Sequence, residues 1–277
     1  MENLFLLNNF KEAENKMKTS PITQQDIANS LKVSRITVSK ALRDHPDISA
    51  EMKEKVKKAV EELGYSPNLI AKQLTLRKTF TLGIVIPDLE NSFFSYLVDS
   101  IIDASTERDY HIILTVSREK EELERNNIRN LMGMRVDGLL VCVSQKTSDY
   151  KIFEHVRKMK IPLVFFDRAI DGMGFSHVAF DDRIGALQAL NLLISRGYNH
   201  IAHFAGYSAT SVGKERCNGY REALINNGIP VLEDWIIEGG YEIEDGIRAY
   251  EKLSQTGNLP QIILAVNDRV ALGAYKA

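Results

Sequence analysis

Apolar positions recur along this chain with two different rhythms. Between Ile22 and Leu63 they fall three and four residues apart, the spacing of short amphipathic helices. Ile27, Ala28 and Leu31 make one apolar face, in a helix that Thr23 can cap, with Asp26 three residues on to complement the dipole. Lys32 and Val33 form a tight turn, and Ser34 caps a second helix. Stepping about 100° per residue, Val38, Ala41 and Leu42 share its inner face, while Ile36, Lys40 and Arg43 share the outer one, with Arg35 on the flank. A third helix, capped at Ser49 and stopped at Gly64, carries a stripe of Met52, Val56, Ala59, Val60 and Leu63. "GYSPNLIAKQLTLRK" follows, where Pro67 and Asn68 open a helix over 69–75. It is too short to stand alone in water and is suited to order on contact with a partner.

From Phe80 the rhythm changes. "TLGIVIP", "HIILTVS", "GLLVCVS" and "IPLVFFD" are near-continuous apolar runs, as parallel strands covered on both faces require. Helical stretches over 92–108 and 120–132 lie between them. After "HVAFDD" the arrangement repeats with "HIAHFAG", "WIIEGG" and "QIILAVND". The pattern predicts two doubly wound α/β halves behind a small helical domain.

Charge sharpens this division. Residues 18–80 hold 12 Lys and Arg against 7 Asp and Glu, leaving 23 against 30 for the rest of the chain. A basic front joined to an acidic body predicts that the front alone meets a polyanion; the plain alternative is a solvated helical surface. Three small helices whose middle member turns a polar, cationic face outward fit a helix-turn-helix DNA reader. A major groove offers phosphates to Lys40 and Arg43, base edges to Arg35 and thymine methyl groups to Ile36. Against that, a stray apolar residue on a surface is common.

Other classes are excluded by what the chain lacks. No apolar run approaches the roughly 20 residues of a membrane span, and "MENLFLLNNF" makes a poor secretory signal. Residues 1–16 are read as an extension without fold, because "MKTSPITQQDIA" looks like a natural start. Cys142 and Cys217 form no C-x-x-C pair and read as reduced thiols of a cytoplasmic protein, a disulfide being the alternative. His200 and His203 are expected on opposite faces of one strand, so no metal site is expected. "GYSATSVGKE" looks superficially like a phosphate loop, but its spacing is wrong and Glu215 stands where Ser or Thr belongs. No dinucleotide fingerprint or catalytic triad motif stands out, so neither cofactor nor enzymatic activity is expected.

Ligands of doubly wound sheets bind beyond the carboxyl ends of the strands. Those ends are read here as Asp88 to Phe94, Asp167-Arg168, Arg216 and Asn267-Asp268. Aromatic rings and charged forks suit a sugar. The plain alternatives are a core pair for Phe93 and Phe94 and a surface ion pair for Asp167 and Arg168.

Three stretches, "DIANSLKVSRITVSKALRD", "VKKAVEELGYSPNLIAKQL" and "AVNDRVALGA", are together highly specific. From about Ile22 to its end the chain resembles the lactose-repressor family of bacterial regulators. The resemblance implies a helix-turn-helix domain over 17–66, a hinge helix and linker over 67–79, and a two-lobed, periplasmic-binding-protein-like body over 80–277, divided near residue 180. It implies base reading by Arg35, Ile36 and Lys40, and phosphate contacts from Ser34, Thr37 and Ser39, with Thr23 and Arg43 in the same DNA-facing set. It places Leu74 as a hinge wedge in the minor groove, the alternative being packing against the body. "N-x-F-F" and "D-R" are similar to pieces of sugar-binding relatives, which gives an effector set of Asn91, Phe93, Phe94, Asp167, Arg168, Arg216 and Asp268. The expected protein is a homodimeric repressor of a pseudo-palindromic operator that answers to a sugar-like effector. A sugar receptor and, further off, a sugar-processing enzyme are the alternatives. Such relatives continue beyond "VALGAYKA", so a shortened second lobe is also expected.

Overall fold

The computed structural model describes residues 22–66 and 78–277. Leu74, the rest of the expected hinge over 67–77, and the extension over 1–16 lie outside the described residues. The chain divides into two compact units, Met1–Thr75 and Leu76–Ala277.

The first unit contains helices α1 (Gln24–Leu31), α2 (Arg35–Leu42) and α3 (Ala50–Leu63). Each begins at a residue whose side chain accepts a first-turn N–H: Thr23 from Asp26, Ser34 from Thr37, Ser49 from Met52. Thr23 and Asp26 bond reciprocally, which satisfies two orphan donors at once. Lys32 ends α1 with a left-handed backbone (φ 53°), and Gly64 ends α3 the same way (φ 66°) without a side-chain penalty. Ile27, Ala28, Val38, Ala41, Val56 and Ala59 fill the core. Leu42, expected inside, is 37% exposed, and Leu63 likewise. Both sit in the last turns of their helices, past the reach of this narrow three-helix core.

The second unit carries two parallel sheets. The first contains β1 (Thr81–Ile86), β2 (His111–Val116), β3 (Gly138–Val141), β4 (Leu163–Phe166) and β5 (Ser176–Val178), in the order β2-β1-β3-β4-β5. Leu82 faces Ile112 on one side and Gly138 on the other. Helices α4 (Ser92–Thr106), α5 (Glu121–Gly133) and α6 (Lys151–Lys158) connect the first four strands. Alternation along β1 sends Ile84 and Ile86 into a cluster with Phe94 and Val98, and Val85 into one with Ile128, Leu131 and Phe153. Gly83 lets α5 approach, since a Cβ there would lie 2.8 Å from a Leu131 methyl.

The second sheet contains β6 (Ile201–Ala205), β7 (Ile236–Glu238) and β8 (Ile262–Ala265), in the order β7-β6-β8. Around it pack α7 (Asp182–Ser195), α8 (Ser211–Asn226), α9 (Ile243–Ser254) and α10 (Asp268–Lys276). His200 is exposed and His203 is buried, stacked on Tyr220 with ring centroids 5.1 Å apart. Among the described residues no helix is long and apolar enough to cross a membrane, and no cluster of three metal-ligating side chains occurs.

Candidate functional site

The exposed face of α2 collects the residues that the sequence pattern placed there. Ile36 is 70% exposed, uncovered by any of the described residues. Beside it Arg35 is exposed and makes no hydrogen bond or ion pair among the described residues. Ser34 Oγ accepts the Thr37 N–H at 3.0 Å and lies 2.9 Å from the Thr37 hydroxyl, so both side chains hold the helix start. Arg43 reaches back one turn to the Ser39 carbonyl at 3.1 Å and its hydroxyl at 3.0 Å. Lys40 pairs with Asp47 at 2.7 Å. Its hydrogen bond, with the nearby His45, holds the Asp47 carboxyl below the ordinary range. Pairs this exposed are weak, so Lys40 and Arg43 can trade their protein acceptors for phosphate oxygens at little cost. Thr23 sits at the start of α1 with its hydroxyl committed to Asp26 at 2.7 Å.

In the second unit the effector set comes from strand ends of both lobes. After β1, Asp88 accepts the N–H groups of Glu90 at 2.9 Å and Asn91 at 3.1 Å. Asn91 then caps α4 through the Phe93 N–H at 3.0 Å. Phe94 is a core residue, as the plain alternative had it, while Phe93 is only partly covered. The rings meet edge to face at 5.3 Å.

After β4 the chain turns through Asp167 (φ 60°), a left-handed conformation unusual for a residue with a side chain. Arg168 does not form the surface pair that its neighbour suggested: it is 6% exposed, and its Nη1 donates to Glu119 at 2.8 Å. The distance from its Nε to Asp167 Oδ2 is 3.8 Å. Its guanidinium lies 4.7 Å from the Tyr241 ring centroid and 6.0 Å from that of Phe94. Burial pushes the Asp167 carboxyl up, against the pull of Arg168.

Glu119 reaches this place because Arg118 and Glu119 are consecutive left-handed residues (φ 52° and 54°). Three glutamates of that segment tie down the 144–149 loop. Glu119 takes the Gln145 N–H at 2.7 Å, Glu121 the Asp149 N–H at 2.7 Å, and Glu124 the Ser144 N–H at 2.5 Å. Burial pushes the Glu124 carboxyl above its ordinary range.

From the second lobe, Arg216 on α8 grips Asp182 Oδ1 at 2.7 Å and donates to the Val266 carbonyl, joining the starts of α7 and α10. Asp268 is exposed on the first turn of α10, with no hydrogen bond among the described residues. Its neighbour Asn267 caps that helix at 2.8 Å and donates to the Tyr241 carbonyl at 3.0 Å. The lobes touch where the Ala169 N–H meets Ser211 Oγ at 3.3 Å and where Arg269, which also pairs with Glu242 of its own lobe, joins Asp88 at 3.4 Å. The geometry thus brings together Asp167, Arg168 and Arg216 with Glu119, Asp182, Tyr241 and Asn267, whereas Asn91 bonds only within its own turn and helix start. Of these additions, Asn267 was visible at a strand end. Glu119 had no local signal, because a turn conformation rather than a motif delivers it.

Residues 23–68 match the family described as bacterial regulatory proteins, lacI family. Residues 79–277 match the one described as periplasmic binding proteins and sugar binding domain of LacI family. Over 253 residues the chain is 32% identical to catabolite control protein A of Priestia megaterium, covering 91% of this chain and 76% of that protein. It is 32% identical over 260 residues to the probable HTH-type transcriptional repressor ExuR of Bacillus subtilis, covering 92% and 76%. Its structure is similar to that of the lac repressor dimer bound to operator and the anti-inducer ONPF. The TM-score is 0.82 at 26% identity, over 93% of this chain and 77% of that one.

Proposed function

Because this chain belongs to the LacI family of bacterial regulatory proteins, we propose that it represses transcription as a homodimer on a pseudo-palindromic operator, under the control of a small sugar-like effector. It is a DNA-binding regulator and not an enzyme, and it acts in the cytoplasm. Arg35 and Ile36 read base edges and methyl groups, with Lys40 as a third reader. Thr23, Ser34, Thr37, Ser39 and Arg43 line the phosphates, and Leu74 is the hinge wedge. The effector sits between the lobes against Asn91, Phe93, Phe94, Asp167, Arg168, Arg216 and Asp268. Binding there changes the angle between the lobes and so biases the hinge and the operator affinity.

The observation that carries this reading is the pairing of an uncovered isoleucine with an unengaged arginine on the first turn of a capped helix. Packing gives no reason for that pairing, whereas a major groove does. The test is selection of duplexes from a random library by the full chain at near-physiological salt. Enrichment of a palindrome with a flexible central step supports the reading, and affinity for it should fall steeply with salt. Absence of any enriched sequence counts against it.

A further inference from the structure

The stretch "GYSATSVGKE" enters neither the DNA-reading face nor the effector set, yet it borders a cavity of about 230 Å³. The other walls are the 144–150 loop, which the three glutamates hold, and residues 168–171. Of the effector set only Arg168 lines this space. Three buried side-chain polar atoms lack a hydrogen-bond partner among the described residues. Two of them, Gln145 Oε1 and Arg168 Nε, belong to residues that line this one cavity. Buried polar atoms are seldom left so, and two at one place point to a missing partner that both donates and accepts.

The wall is rich in donors. Arg168, with its side chain only 7% exposed, commits Nη1 to Glu119, and no other hydrogen bond engages its guanidinium. Ser211 Oγ accepts from Ala169, which leaves its proton for another acceptor. The first turn of α8 adds backbone N–H groups and the positive end of a 16-residue helix. Lys214 lies one turn into α8, 4.0 Å from Asp171. Both are largely exposed, so solvent weakens that pair. Among the described residues the loosely held Asp171 is the one acid that lines the cavity, while the Arg168 guanidinium is flanked by Glu119, bonded to it and to the Gln145 N–H, and by Asp167, 3.8 Å from Nε.

We propose that this compartment is a subsite for the anionic group of a hydroxylated ligand of monosaccharide size. Arg168, Lys214 and the start of α8 receive its carboxylate or phosphate, and Gln145 takes a hydroxyl. The proposal rests on reading the cleft as the effector site and narrows that effector to a sugar acid or a sugar phosphate. The volume suits one ring rather than a longer saccharide, being below the ~300–1,000 Å³ of pockets for drug-sized ligands.

The test is isothermal titration of the full chain with gluconate, glucose 6-phosphate and glucose, with inorganic phosphate as the minimal probe. At least one of the two sugar anions should bind about tenfold or more tightly than glucose, and the winner tells carboxylate from phosphate. Lys214→Gln should narrow that preference and Lys214→Glu should erase it. Equal affinity for glucose, no binding of either anion up to millimolar concentration, or an unchanged preference in Lys214→Glu overturns the subsite. Operator binding by the same preparation separates the two readings. A chain that still selects its operator but shows no anion preference refutes the subsite alone, whereas one that selects no duplex refutes the regulator.

Discussion

The two units carry their candidate residues in opposite ways. In the helical unit they lie within one stretch and on the surface, and most of their contacts span three or four residues. In the α/β unit they are gathered from distant segments and partly buried: Arg168 meets Glu119 across 49 residues, Arg216 meets Asp182 across 34, and Arg269 meets Asp88 across 181. The first arrangement can be changed with little effect on stability, since apart from the caps Thr23 and Ser34 its side chains face solvent. In the second, the candidate groups are also structural members, and a change there should affect fold and function together.

Glu119→Ala tests that contrast most severely. It removes the hydrogen-bonded counter-charge of the buried Arg168 guanidinium, leaving only Asp167 at 3.8 Å from Nε, and the α/β unit should lose about 3–5 kcal/mol, as broken buried pairs do. Urea denaturation followed at Trp235, which lies in that unit, would register it. A loss below about 1 kcal/mol, the value of an exposed pair, would mean that the site is wetter than its geometry indicates.

His203 probes the same unit through pH. Burial lowers its pKa from 6.5 to about 4, against the pull of the Leu264 carbonyl on Nδ1 at 2.8 Å. Above pH 6.5 the ring is neutral in both states and costs nothing. As pH falls through 6.5 the unfolded chain gains a proton that the folded chain refuses, so stability drains away until about pH 4. The full loss from this group is about 3 kcal/mol. His203→Phe should flatten that part of the stability–pH curve, and an unchanged slope would assign it to other groups.

On the DNA-facing side, Arg35→Ala and Ile36→Ala should each relax discrimination at one base pair by about 1–3 kcal/mol while leaving the urea midpoint in place. Arg43→Ala, which removes a phosphate contact, should instead weaken all sequences alike and lower the salt slope by about one. Competition binding against single-base operator variants separates the two patterns. The smallest effect is expected from Thr23→Ala, which removes one cap and about 1 kcal/mol from the helical unit alone. If it also shifted the Trp235 transition, the units would not unfold independently.

The same contrast explains what the sequence made legible. Caps, turns and the outward isoleucine were readable because Thr23 with Asp26, or Ser34 with Thr37, act within a single turn. The strands were readable as apolar runs, except β5, whose three exposed residues carry no such signal. Leu42 was misjudged because a helical face says which side packs but not how far the core extends. In the cleft, strand ends announced Asp167 and Arg168, but not that Arg168 would turn inward to Glu119. That outcome depends on two left-handed residues, Arg118 and Glu119, which neighbouring glycines did not advertise. Asp268 and Asn267 differ only in which of two adjacent side chains a helix start turns toward Tyr241.

Asp88 serves two masters. One carboxylate both fixes the turn that presents Asn91 to α4 and holds Arg269 of the opposite lobe. Parting the lobes therefore leaves that turn with a carboxylate relieved of its cation, and loosening the turn slackens the grip across the cleft. Because such linkage runs equally in both directions, whatever binds the ordered Asp88 turn better than the loosened one also favours closed lobes, without ever entering the space between them.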